Sequence, residues 1–136
     1  MEIPEAVRFV AANHRAVLAT RRGDGRPQLS PVTVGVDDAG RVVISTRETA
    51  LKVRNIERDP VVSVCIFADS FFGDWVQIDG QAAIVHLPEA MDLLIAYYRD
   101  IAGEHPDWDD YRAAMERDRR VIVRITPERA GPNRAG

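Results

Sequence analysis

Arg41-Val42-Val43-Ile44-Ser45-Thr46-Arg47-Glu48-Thr49-Ala50-Leu51-Lys52-Val53-Arg54-Asn55-Ile56-Glu57-Arg58-Asp59-Pro60 is the segment from which the rest of the chain can be laid out. The apolar run Arg41 to Ile44 reads as a strand, and it ends in two hydroxyl residues, Ser45 and Thr46. A short helical pattern follows, with Leu51, Val53 and Ile56 as its inward positions. Pro60 stops that helix, because the residue before a proline is pushed out of the helical region. A second apolar run starts at Val61. Hydroxyls at a strand end, a helix start and Lys52 close to that start make a candidate anion site. Unpaired backbone N–H groups and the helix dipole favour a negative group there. The hydroxyls can donate hydrogen bonds, and the lysine is a point charge. The other reading of the same residues is an ordinary helix cap beside a solvated lysine.

Upstream, Pro4 to Asn13 carries a helical apolar stripe, with proline in the first turn. Ala16 to Thr20 is a short strand. Arg22-Gly23-Asp24-Gly25-Arg26 is a hairpin signal, and Pro27 to Val36 returns as one strand. Pro31 inside it argues for an edge position or a bulge. Downstream, Val61 to Ala68 and Trp75 to Val85 read as strands, the second bent at Asp79-Gly80. The loop between them holds Phe71 and Phe72. Pro88 opens a helix with Met91, Leu94, Ile95, Tyr98 and Ile101 on one face, and Gly103 ends it. Trp108 to Asp118 is a second helical piece, and Val121 to Thr126 is the last strand. Six short strands in hairpin order, with helices at the edges, predict a mainly β (α+β) fold. The expected architecture is an antiparallel barrel. Residues 1–127 form the expected domain, and 128–136, rich in Gly, Pro and Arg, the expected flexible tail.

The 136 residues fit one domain, 46% of them apolar and 29% charged. A net charge of −3 excludes a nucleic-acid binder by bulk charge. The single cysteine, Cys65, lies in an apolar run and suits a reducing cytoplasm. No apolar run is long enough for a membrane-spanning helix, and Met1-Glu2-Ile3-Pro4-Glu5 lacks the features of a signal peptide.

Catalytic signatures are missing: there is no nucleophile elbow, no dinucleotide fingerprint and no phosphate loop. His14, His86 and His105 lack metal-ligand spacing. The acidic group Glu104, Asp107, Asp109 and Asp110 reads as carboxylates gathered at a helix N-terminus. Phe71, Phe72 and Trp75 read as aromatics that cap a core or an interface, or that wall a flat conjugated ligand. With no acid–base or nucleophile set visible, any chemistry should reside in a bound cofactor.

Leu18-Ala19-Thr20, Asp24-Gly25-Arg26-Pro27-Gln28 and Ser30-Pro31-Val32 resemble the opening of the pyridoxamine-5′-phosphate-oxidase-like split β-barrels. Ser45-Thr46, Lys52, Arg54-Asn55 and Arg58-Asp59-Pro60 are similar to the next block. The run Tyr98 to Arg112, with Met115 and Asp118-Arg119-Arg120, is most similar to the actinobacterial F420-dependent members, the flavin/deazaflavin oxidoreductase B group. This resemblance implies a six-stranded split barrel that forms a homodimer, with two cofactor sites shared between subunits. It implies coenzyme F420 as cofactor, with FMN as the alternative. Ser45, Thr46 and Lys52 would hold the phosphate, and Arg54 and Asn55 would reach the tail. Gln28, Ser30, Pro31 and Val32 would lie against the ring, and Trp75 would come from the other subunit.

The implied activity is an F420H2-dependent reductase that transfers hydride to a conjugated acceptor of biliverdin, quinone or enone type. The alternatives are an FMN-dependent oxidoreductase and a non-catalytic F420 or flavin carrier. The resemblance assigns no catalytic residue; Lys52 or solvent is left as proton source. The second strand carries no arginine or lysine, a departure that disfavours FMN and pyridoxamine phosphate. The ending Arg129 to Arg134 lacks the aromatic residue common in the group.

Overall fold

The computed structural model describes residues 1–132. Helix α1 (Ile3–Ala12) leads into strand β1 (Arg15–Arg21), strand β2 (Pro27–Thr33) and a short strand β3 (Gly35–Val36). Strand β4 (Val42–Arg47), helix α2 (Leu51–Arg58), strand β5 (Val61–Phe67) and strand β6 (Trp75–Val85) follow. Helices α3 (Ala90–Ala102) and α4 (Trp108–Arg117) precede the last strand, β7 (Arg120–Gly131). The strands form one antiparallel sheet in the order β2-β1-β5-β6-β7-β4-β3. Edge strand β2 also touches β4, so the sheet curls into a half-barrel.

The sheet has seven strands, not the expected six. The extra one arises because the returning segment 27–36 breaks at Val34. His14 takes both polar groups of that residue. Val34 N–H donates to His14 O at 2.8 Å, and His14 Nδ1 donates to Val34 O at 2.8 Å. Tied in this way, the chain leaves β1 and pairs Gly35 and Val36 with β4 instead. Val34 itself is fully buried in the core.

Pro31 sits on an edge strand, as expected of a residue that cannot donate to a central ladder. The bend in β6 is a bulge: Asp79 faces Arg129, Gly80 faces Pro127, and Glu128 is left over. Gly80 is required there, because a Cβ would run into the Thr126 carbonyl. β7 continues through this bulge to Gly131, four residues beyond Pro127 and into the segment read as a tail. The remainder of that segment, 133–136, lies outside the described residues.

The barrel interior is built from alternating positions of β1, β5 and β6, joined by Val42, Ile44, Val123 and Ile125 and plugged by Ala6 and Val10 of α1. A second apolar cluster lies outside the barrel, where Leu94, Ile95 and Tyr111 of α3 and α4 cover Val43 and Ile122. Strands β4 and β7 are therefore buried on both faces, which accounts for their unbroken apolar runs.

Helix α2 buries Val53, Asn55 and Ile56, whereas Leu51, expected to face inward, is 52% exposed. Helix α3 starts at Ala90, with Pro88 in the turn before it. Asp107 caps α4 by accepting from Asp110 N–H at 3.1 Å, which is the helix-start role expected of that acidic group.

Candidate functional site: a cation-lined cavity between sheet and helices

Strand β4 delivers Ser45 and Thr46 to a cavity of about 670 Å³. Neither hydroxyl caps α2: both lie inside the strand, and the helix N-cap is Ala50, with no side-chain cap bond. The helix-cap reading of the two hydroxyls therefore fails. Lys52, in the first turn of α2, lines the same cavity. So does Arg120, the first residue of β7, which pairs with Arg47 at the end of β4. Arg47 is exposed, whereas Arg120 is partly buried and lines the cavity. The facing wall is Pro31, Val32 and Thr33 of β2; the remaining wall is Tyr97 and Tyr98 of α3 with Tyr111 and Met115 of α4.

The electrostatics of the cavity favour a negative group. Partial burial, and then the charge on Arg120, hold the Lys52 ammonium below its ordinary pKa. Lys52 has no carboxylate partner among the described residues. Arg120 Nε is buried and makes no hydrogen bond among the described residues. The carboxylate of Asp118 stands 4.0 Å from that atom, beyond hydrogen-bond reach. Two cations therefore face one cavity, Lys52 without a carboxylate partner among the described residues and Arg120 with Asp118 only at ion-pair distance. An anion there would gain charge-assisted bonds that the protein itself leaves unmade.

The tyrosines form a rigid wall. Tyr97 donates its hydroxyl to Thr33 O at 2.8 Å, and Tyr111 donates to Leu94 O at 2.8 Å. Burial raises the pKa of both; for Tyr111 the value is pushed up to about 12. Behind this wall, Tyr98, His105, Trp108 and Tyr111 pack as a closed aromatic tetrad, every pair of ring centroids within 5.8 Å. Arg99 lies 4.9 Å from the Trp108 ring centroid and pairs with Glu104, whose carboxyl is lowered by its bonds from Trp108 and Arg99. The sequence block Tyr98 to Tyr111 thus fixes the turn between α3 and α4 and holds Tyr111 and Met115 against the cavity.

Of the ten residues singled out in the sequence, the cavity gathers Pro31, Val32, Ser45, Thr46 and Lys52. The other five lie elsewhere. Gln28 accepts from Arg22 Nε at 2.9 Å on the hairpin surface. Ser30 has a buried Oγ with no partner and does not line the cavity. Arg54 is exposed on the outer side of α2. Asn55 is 2% exposed; it donates to Thr20 Oγ1 at 3.1 Å and accepts from Arg58 at 3.0 Å. It therefore ties α2 to β1. Trp75 borders a separate cavity of about 390 Å³ with Asp79 and Arg129. The residues that sequence reading missed are Thr33, Tyr97, Tyr98, Tyr111, Met115 and Arg120. Tyr98, Tyr111, Met115 and Arg120 all fall in the stretch that carries the sharpest family resemblance, which was the available signal.

The three histidines have separate structural partners. His14 ties Val34, His86 pairs with Glu48 at 3.1 Å, and His105 belongs to the aromatic tetrad. No helix of the described residues is long and apolar enough to cross a membrane.

A curled antiparallel sheet with this cavity at its helix-covered side defines a split-barrel, cofactor-binding type of domain. The pyridoxamine 5′-phosphate oxidase family profile matches residues 3–133, and the chain belongs to that family. Among solved structures, it is similar to a conserved hypothetical protein, Rv2991, from Mycobacterium tuberculosis. Identity is 29%, over 96% of this chain and 82% of that one, with a TM-score of 0.78. It is similar in fold to an F420 reductase, at 21% identity over 88% of this chain and 90% of the other, with a TM-score of 0.67. It also shares its fold with a heme-binding protein from Mycobacterium smegmatis, at 24% identity over 98% of this chain and 56% of that one, with a TM-score of 0.69.

Proposed function

We propose that the cavity binds a phosphorylated tricyclic redox cofactor, and that the protein is an F420H2-dependent reductase acting on a conjugated small molecule. The observation that carries this reading is the composition of one cavity. Lys52, with no carboxylate partner among the described residues, Arg120, with a buried Nε that makes no hydrogen bond, and two strand hydroxyls lie beside a wall of tyrosines, a methionine and a proline. Its volume, about 670 Å³, falls in the range of small-molecule sites. Ser45, Thr46 and Lys52 would hold the phosphate, with Arg120 beside them, and Pro31, Val32 and the tyrosines would hold the ring and exclude water. The bound deazaflavin would supply the hydride; the chain's own contribution is binding and orientation. The likeness in fold to an F420 reductase supports the choice of cofactor.

FMN is the second reading, and a specific observation favours it. The basic residue that β2 lacks is supplied by β7, as Arg120. A non-catalytic carrier is the third. The acceptor is placed in the biliverdin, quinone or enone class, and the setting in the cytoplasm.

A homodimer completes the proposal. Leu29 is 60% exposed, Phe71 79% and Phe72 95%, and on the outer face of β1 and β5 Val17, Ala19, Ser63 and Cys65 are only partly buried. A second copy laid on that face would cover these side chains and bring its Trp75 toward the cavity. Fluorescence titration of the protein with F420 and with FMN tests the cofactor, and turnover of F420H2 with a panel of acceptors tests the activity. Binding without turnover across the panel would leave the carrier. A monomer in light scattering at micromolar concentration would reject the shared site.

A further inference from the structure

We infer that Arg120 decides whether this cavity can hold a terminal phosphate dianion, and so sets the choice between a phosphomonoester and a phosphodiester cofactor. This rests on the reading of the cavity as the cofactor's anion anchor. The argument is one of charge and of unmade bonds. A phosphomonoester carries close to two negative charges near neutral pH, and a phosphodiester carries one. Lys52 and the hydroxyls of Ser45 and Thr46 supply one positive charge and two neutral donors. That set matches a diester. A second charge is matched only by a second cation, and among the described residues that cation is Arg120.

Three features mark Arg120 as held in reserve rather than used by the fold. Its Nε is buried with no hydrogen-bond partner. Asp118 is 4.0 Å away and leaves that donor unsatisfied. Its charge also acts against Lys52, an arrangement that is unfavourable until an anion lies between them. A guanidinium, with several donors in one plane, suits the oxygens of a terminal phosphate better than a second ammonium would.

The test is a titration of wild type and Arg120→Gln with FMN, with F420 and with riboflavin, which lacks the phosphate. The inference expects FMN affinity to fall at least about 30-fold, as for loss of a charge-assisted bond to a dianion. F420, a diester, should weaken only about threefold, and riboflavin should be unchanged. Equal losses for FMN and F420, or undiminished FMN binding, would overturn it. Wild type that binds F420 but excludes FMN would also overturn it while leaving the anchor intact. Wild type that binds neither better than riboflavin rejects the anchor reading, and the inference with it.

Two further variants separate ligation from folding. Arg120→Lys keeps the charge in a chain that should fold normally, and should retain FMN within about fivefold. Asp118→Asn should leave FMN binding as in wild type. A loss there equal to that of Arg120→Gln would assign Arg120 a structural role and sink the proposal.

Discussion

Two sets of polar side chains lie one helical turn apart on α2, and they are treated in opposite ways. Around Asn55 the polar atoms are matched. Asn55 donates to Thr20, Arg58 donates to Asn55, and Arg58 also reaches the Arg21 carbonyl at 2.8 Å. Around Lys52 they are unmatched. Lys52 faces the cavity without a carboxylate partner among the described residues, and Arg120, with Asp118 only at 4.0 Å, keeps a buried Nε that makes no hydrogen bond. Each set has buried or partly buried members, Thr20 and Asn55 in one and Lys52 and Arg120 in the other, so burial alone does not tell structure from function. What separates them is whether the fold has already made the bonds. A completed network specifies packing; an incomplete one, open to a cavity, leaves its bonds for a ligand.

The largest effect expected from this contrast is on the matched side. Asn55→Leu keeps the volume but strands the hydroxyl of Thr20, which is 1% exposed, and one bond of Arg58. Urea denaturation should show a loss of about 1–3 kcal/mol. Cofactor affinity of the folded fraction should stay within about twofold, since Asn55 does not reach the cavity. A fall in affinity without a fall in stability would reverse the comparison and restore Asn55 to the site.

Lys52→Met is the mirror experiment. It removes a half-buried charge with no partner, so the protein without cofactor should be as stable as wild type or more so. F420 affinity should fall about tenfold or more, the size expected for a charge-assisted bond. Isothermal titration and a denaturant midpoint on the same sample read both quantities. Loss of stability together with retained affinity would show Lys52 to be a structural residue.

Tyr97 stands between the two sets, in the cavity wall but with its hydroxyl already bonded to Thr33 O. Tyr97→Phe should therefore behave as a structural change, lowering stability by about 1 kcal/mol and leaving F420 affinity unchanged. If affinity fell while stability held, the hydroxyl would belong with Lys52.

The contrast also explains how much of the molecule could be read from its sequence. Hairpin order, the edge position of Pro31 and the bend at Asp79-Gly80 were legible because turn chemistry and strand alternation are local signals. The break at Val34 was not, since it depends on His14, twenty residues away. The hydroxyls and Lys52 were legible as a cluster because they lie within eight residues of chain. Arg120 joins them only through the pairing of β7 with β4, and Tyr97, Tyr98 and Tyr111 only through the docking of α3 and α4 on that same sheet. On α2 the inward reading of Val53 and Ile56 agrees with the structure, whereas Leu51 is exposed and Asn55 lies on the packed side, tied to Thr20 of β1.

The smallest predicted effect is on pH dependence, and its sign follows from the direction of each shift. The folded-state pKa of Lys52 lies below its ordinary value of 10.5. Below the folded value both states carry the charge, and the fold bears the full penalty of burying it beside Arg120. As pH rises through the folded value, the folded protein gives up this proton first, so stability increases. The gain should be read below about pH 10, where tyrosines of the unfolded chain begin to ionise. Above that, the raised pKa values of Tyr97 and Tyr111 act the other way, because the unfolded chain sheds protons that the fold retains. Denaturant midpoints of wild type relative to Lys52→Met should therefore climb as pH rises toward about 10. Saturating FMN should flatten that climb, since a bound phosphate favours the charged ammonium. A difference that stays level across this range without ligand would show that Lys52 sits in water, and the unmatched side of the comparison would lose its first member.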